Sequence, residues 1–225
     1  MASGQQIAAS TARPYFRPED IAADRWIHLA GLVLGSIATL VLLVLAGRSG
    51  RLSMVIACWV YATTLTAMLI CSTLFHHGPI RAERRLLRRL DHAAIFMLIA
   101  GTYTPFSTCL LHGLWAFGTT AAVWAVAIGG ALVKLVRPLG PPGSSTAGYL
   151  AVSGMALVGL SPILGAIDPL SLALIVAGLA IYAAGAVIRR RRALRYRNTL
   201  WHTMVLVAAS CHFAAIMHGV VLTAR

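Results

Sequence analysis

The chain has 225 residues, of which 59% are hydrophobic and 11% charged, with a formal net charge of +13. A soluble domain carries about 25% charged residues, so this composition excludes a solvated globular surface and points to one membrane-embedded helical bundle. It does not point to a nucleic-acid binder, because all 19 Lys and Arg lie outside the apolar stretches, where they meet anionic lipid headgroups.

Residues 1–26 read as a polar cytosolic tail and residues 27–225 as the transmembrane domain. Pro14 and Pro18 come too early for a signal peptide's n-region, so no cleavage is expected. Seven charge-free apolar runs follow, at 29–46, 52–75, 93–111, 114–133, 147–167, 170–188 and 199–223. A helix needs ~20 residues to span the hydrocarbon, and helices satisfy the backbone groups that lipid leaves without partners. The expected fold is an all-α bundle of seven transmembrane helices. Two-residue links at 112–113 and 168–169 make their flanking helices antiparallel neighbours. Pro105 interrupts the third run within Gly101-Thr-Tyr-Thr-Pro-Phe106, as a kink or as packing, with Thr hydroxyls on hand for the freed carbonyl. Cys58, Cys71, Cys109 and Cys211 stand singly and read as buried thiols.

Basic residues set the orientation. With the N-terminus in the cytosol, that side receives Arg13, Arg17, Arg25, the arginines of 81–89, Lys134, Arg137 and the arginines of 189–197. Sixteen basic residues lie inside, against Arg48, Arg51 and Arg225 outside. The C-terminus is therefore expected outside.

Polar groups at membrane depth are expensive and tend to be functional. In this topology four helices place His28, Ser72, His76, Asp91, Asn198 and His202 near one level in the cytosolic leaflet. Ser72 and His76 are four residues apart and share a face, as do Asn198 and His202. Two histidines and a carboxylate from three helices suit zinc, whose catalytic sites keep a position for water; the plainer reading is that these groups reach for the headgroups or join helices by hydrogen bonds. His77 and His92 are turned about 100° from their neighbours and are expected to face the interface. His212 is expected to pack at mid-membrane, and His112 and His218 belong to the outer half.

Ser72-Thr-Leu-Phe-His76, Leu90-Asp-His-Ala-Ala-Ile-Phe and Ile99-Ala-Gly-Thr-Tyr-Thr-Pro-Phe106 resemble the bacterial hemolysin III proteins. Trp201-His-Thr-Met-Val-Leu-Val, continuing to Cys211-His-Phe, resembles that family's last helix. The wider group includes the progestin and adipoQ receptors and, more remotely, the alkaline ceramidases. The resemblance implies a seven-helix bundle in the bacterial cytoplasmic (inner) membrane with zinc near the cytosolic face. Its SxxxH motif falls on Ser72 and His76, and its third-helix aspartate on Asp91. Its seventh-helix HxxxH falls on Asn198 and His202, so an asparagine stands where a histidine ligand is expected. In the first-helix motif His28 is kept, Asp24 stands in place of Asn and Ile21 in place of Glu.

The expected metal ligands are His76, His202 and Asn198. Asp91 is the expected general base, and Ser72 the group that orients a water or a developing oxyanion. The expected function is zinc-dependent hydrolysis of a lipid amide or ester, with membrane lipid as solvent and substrate. The alternatives are a pore-forming cytolysin and a non-catalytic lipid sensor with a structural metal.

Overall fold

Six helices fill the described residues of the computed structural model, which are 17–78, 84–137, 163–191 and 194–223. They are α1 (Pro18–Arg48), α2 (Leu52–His77), α3 (Arg84–Leu110), α4 (Gly113–Val136), α5 (Pro169–Arg190) and α6 (Arg197–Ile216), the last continued by a π-helical segment, Met217–Leu222. Each is long and apolar enough to cross a membrane. Of the expected fifth run, 147–162 lies outside the described residues; 163–167 is a turn in which Ala166 N and Ile167 N both donate to Ile163 O.

The sequence marks most helix ends. Pro18 occupies the first turn of α1, where its missing N–H costs no hydrogen bond, and Glu19 and Asp20 complement the positive end of the helix dipole. The helix therefore starts well before the expected boundary at residue 27, which draws Asp24 into the bundle. Gly50, with φ +67°, takes the left-handed turn between α1 and α2. Asp168 caps α5 by accepting from Ser171 N at 2.9 Å, with Pro169 following it. Inside α3, Pro105 is held among hydroxyls. Thr104 Oγ1 donates to Ala100 O at 2.8 Å and accepts from Trp124 Nε1 at 3.0 Å, and Ser107 meets Thr120 at 2.6 Å. The Trp124 and Thr120 contacts seat this stretch against α4.

α1 packs against α2, α2 against α3, α3 against α4 and α5 against α6, and α1 also packs against α6. The polarity is inverted relative to a soluble protein. Trp26 and Phe117 are 69% and 76% exposed, while Asp24, His28, Asp91, His92 and His202 are each less than 9% exposed. Apolar residues outside and ionisable ones inside is the arrangement lipid imposes. The chain is an integral, multi-pass membrane protein.

Candidate metal centre

One end of the bundle gathers the start of α1, the end of α2, the start of α3 and the start of α6. Arg25, Arg84, Arg85, Arg88 and Arg89 belong to the same helix ends. Three pairs at i,i+4 spacing lie at this end: Asp24 with His28, Ser72 with His76, and Asn198 with His202. Histidines adjacent to two of these helix ends, His77 and His92, are also drawn in.

Asp24 is the hub. Its Oδ1 accepts from His202 Nδ1 at 2.6 Å, and its Oδ2 lies 3.2 Å from His77 Nε2. Its backbone carbonyl accepts from His28 Nδ1 at 2.9 Å. A carbonyl or an ionised carboxylate only accepts, so His28 and His202 each carry their proton on Nδ1. Their Nε2 atoms keep free lone pairs; that of His28 is 3.3 Å from Ser72 Oγ, which can donate to it. A buried carboxylate without partners would be costly, and three histidines from three helices compensate this one.

The rings of His28, His76 and His202 form a triangle with centroids 4.3, 4.5 and 5.3 Å apart. Three imidazoles around a tetrahedral zinc, with Zn–N bonds of ~2.0–2.1 Å, hold their ring centres about 5 Å apart. The triangle is the right size, and the donors are of the right chemistry. Among the described residues, the group that brings one ligand atom each to within 4.8 Å of one another is Asp24, His28 and His77. The end of the bundle therefore fits a metal ion, and a donor set rich in imidazole suits zinc better than it suits magnesium or calcium.

Asp91 is buried on α3 with Oδ2 3.2 Å from His92 Nδ1, and within electrostatic reach of His76 and His202. It thus stands beside the imidazole triangle without sharing the Asp24 network.

The expected site residues Ser72, His76, Asp91 and His202 are brought to this end. Asn198 is half-buried in the first turn of α6 and makes no hydrogen bond among the described residues. Two expectations are corrected. His77 does not turn to the interface, because α1 passes close enough to the end of α2 for adjacent residues to reach Asp24 and His28. His92 is likewise buried, against Asp91. The residue that sequence reasoning underused is Asp24. Its signal was its place four residues before His28, the same spacing as the other two pairs.

Remaining histidines do not join the centre. His212 packs at mid-membrane as expected, with Nε2 3.2 Å from Ile175 O and its ring beside Tyr182. At the opposite end His218 meets Asp168 Oδ1 at 3.2 Å and Ser171 Oγ at 3.3 Å. Both contacts fall on Nδ1, whereas a nucleophile relay needs the two ring nitrogens separately. This trio clamps α5 to the end of α6.

Residues 22–213 match the family model described as haemolysin-III related. The chain is 31% identical over 216 residues to "Hemolysin-3" of Bacillus cereus, covering 95% of this chain and 97% of that one. It is 25% identical over 195 residues to "Hemolysin-3 homolog" of Bacillus subtilis (strain 168), covering 87% and 92%.

Proposed function

The chain belongs to the haemolysin-III-related family, and from that premise we propose that it is a zinc-dependent hydrolase acting within the bilayer on a lipid amide or ester. The observation that carries this reading is the pairing of an imidazole triangle with a separate buried carboxylate, Asp91, at one end of a membrane bundle. We further place that end in the cytosolic leaflet of the bacterial inner membrane, on the sixteen-to-three partition of basic residues.

His76 and His202 would hold the metal, which would supply Lewis acidity to the scissile carbonyl. Asp91 takes a proton from a water at its carboxylate and returns it to the departing nitrogen or oxygen. Water thereby adds across the bond, leaving a carboxylic acid and an amine or alcohol. His92 Nδ1 stands 3.2 Å from Asp91 Oδ2, beside the carboxylate. The Ser72 hydroxyl, one turn before His76 on α2, would donate to charge developing on the carbonyl oxygen. Apolar helices around the site exclude bulk water, which strengthens each of these interactions.

The test uses purified protein in lipid nanodiscs with a panel of lipid amides and esters. Turnover should be lost on chelation and restored by zinc. Asp91→Asn should keep its metal and its fold and lose turnover by about 10²–10⁴-fold, the usual worth of a positioned acid–base group. A wild type with no turnover on any lipid amide or ester sinks the enzyme reading, and turnover that survives metal removal sinks the metal's part in it.

A further inference from the structure

Two histidines make an incomplete zinc site, and Asn198 occupies the place where the family resemblance puts a third. An amide oxygen is a poor substitute for imidazole at a zinc ion. If the metal reading above holds, another group on this chain must complete the set.

We propose that the third ligand is His28 Nε2, on α1, and that Asp24 aims His28 and His202 together while Asn198 takes no part. Three observations converge on this. The ring of His28 stands 4.3 Å from that of His202 and 5.3 Å from that of His76. Its Nδ1–H is committed to the Asp24 carbonyl at 2.9 Å, which leaves Nε2 as its only donor atom for a metal. His202 is fixed in the same tautomer by the Asp24 carboxylate at 2.6 Å. A metal-bound histidine commonly donates its other ring N–H to a carboxylate or a carbonyl, which orients the ring and raises its basicity. Here one residue supplies both acceptors, through its main chain to His28 and its side chain to His202. The ligand that Asn198 does not supply from α6 comes instead from α1.

The rival set is Asp24, His28 and His77. With His28 Nδ1 as its ligand atom, that nitrogen stands 3.2 Å from His77 Nε2 and 3.7 Å from Asp24 Oδ2. That nitrogen would then lose its proton while facing a carbonyl oxygen at 2.9 Å, a repulsive contact. His77 instead spends Nε2–H on Asp24 Oδ2, supporting the hub from the side.

The experiment is metal analysis and Co²⁺ substitution on the full-length chain in detergent, with monodispersity on gel filtration as the check of folding. Wild type should bind about one zinc, given three protein ligands and one open position. His28→Ala, His76→Ala and His202→Ala should each lose it, Asn198→Ala should retain wild-type affinity, and His77→Ala should still bind the metal. Asp24→Leu should weaken affinity about 10–100-fold, the usual effect of removing a group that orients a ligand. Asp24→Asn, whose amide oxygen still accepts from His202 Nδ1, should lose less than Asp24→Leu. His28→Cys gives a direct readout that survives if the alanine variant misfolds. Thiolate at a ligand position should add a sulfur-to-cobalt charge-transfer band that wild type lacks. Metal retained in His28→Ala, or no such band in a cobalt-loaded His28→Cys, overturns the proposal and leaves the metal reading standing. Loss of metal in His77→Ala with retention in His76→Ala overturns it in favour of the rival set. A wild type that takes up neither zinc nor cobalt defeats the metal reading itself, and this inference with it.

Discussion

Midway along the bundle α2 and α3 touch at Gly101, and this crossing sets how the ends carrying His76 and Asp91 meet. A Cβ placed on Gly101 would overlap Thr64 Oγ1 and stand 2.9 Å from Thr64 Cβ and 3.0 Å from its Cγ2. Thr64 cannot swing aside cheaply. It is β-branched, buried, and its hydroxyl donates to Tyr61 O at 2.9 Å and Val60 O at 3.1 Å. Alanine in a helix interior is favoured over glycine by about 0.8–1.0 kcal/mol, and overpacking a tight contact costs about 1–3 kcal/mol. Gly101→Ala should therefore destabilise the protein by roughly 1–2 kcal/mol, taking the upper part of that cost for so rigid a neighbour. That is a drop in Tm of about 2–8 °C at this chain length. The decisive arm is the size swap Thr64→Gly with Gly101→Ala, which moves the small residue to the other helix. If overlap is the cause, the double variant should recover about 1–3 kcal/mol relative to the sum of the singles. Thermal unfolding of the four proteins in one detergent reads the cycle. Additive single effects would refute the account, because the cost of Gly101→Ala would then not come from Thr64.

Three further outcomes are expected. Reporter fusions after Arg225 should be active outside the cytosol and fusions within residues 81–89 inside; the reverse pattern would put the site in the opposite leaflet. At the other end of the bundle, burial works to raise the pKa of Asp168, but hydrogen bonds from Ser171 and the neighbouring His218 outweigh it and hold the carboxyl below the usual aspartate value. Its folded pKa being the lower, the stability it confers is complete above about pH 4 and fades as acid passes the folded value. The Tm gap between wild type and Asp168→Asn should be full near pH ~5 and shrink towards pH ~3; a gap that widens in acid would count against the clamp. Arg195 reaches Glu19 at 2.9 Å across an exposed gap, so Glu19→Gln should change stability by less than about 1 kcal/mol.

The membrane class and six of the expected spans were legible in the sequence because each is decided locally. A run of ~20 apolar residues lowers its free energy in hydrocarbon whatever its neighbours do. The link at 168–169 likewise depends on backbone chemistry within a few residues, whereas the start of α1 at Pro18 falls well before the expected boundary at 27. The gathering of Ser72, His76, Asp91 and His202 at one end also followed from the sequence, since alternating direction fixes depth. Rotation about each helix axis did not follow. The periodicity placed His77 on another face from His76, and only the approach of α1 to the end of α2 makes both faces interior. Asp24 shows the limit most plainly. Alone, an aspartate beside Arg25 and Trp26 belongs to a solvated tail, because its charge resists burial. Inside the bundle it is buried since His28, His77 and His202 surround it, and those partners, two of them 53 and 178 residues away in the chain, become its neighbours only when α1 closes against α2 and α6.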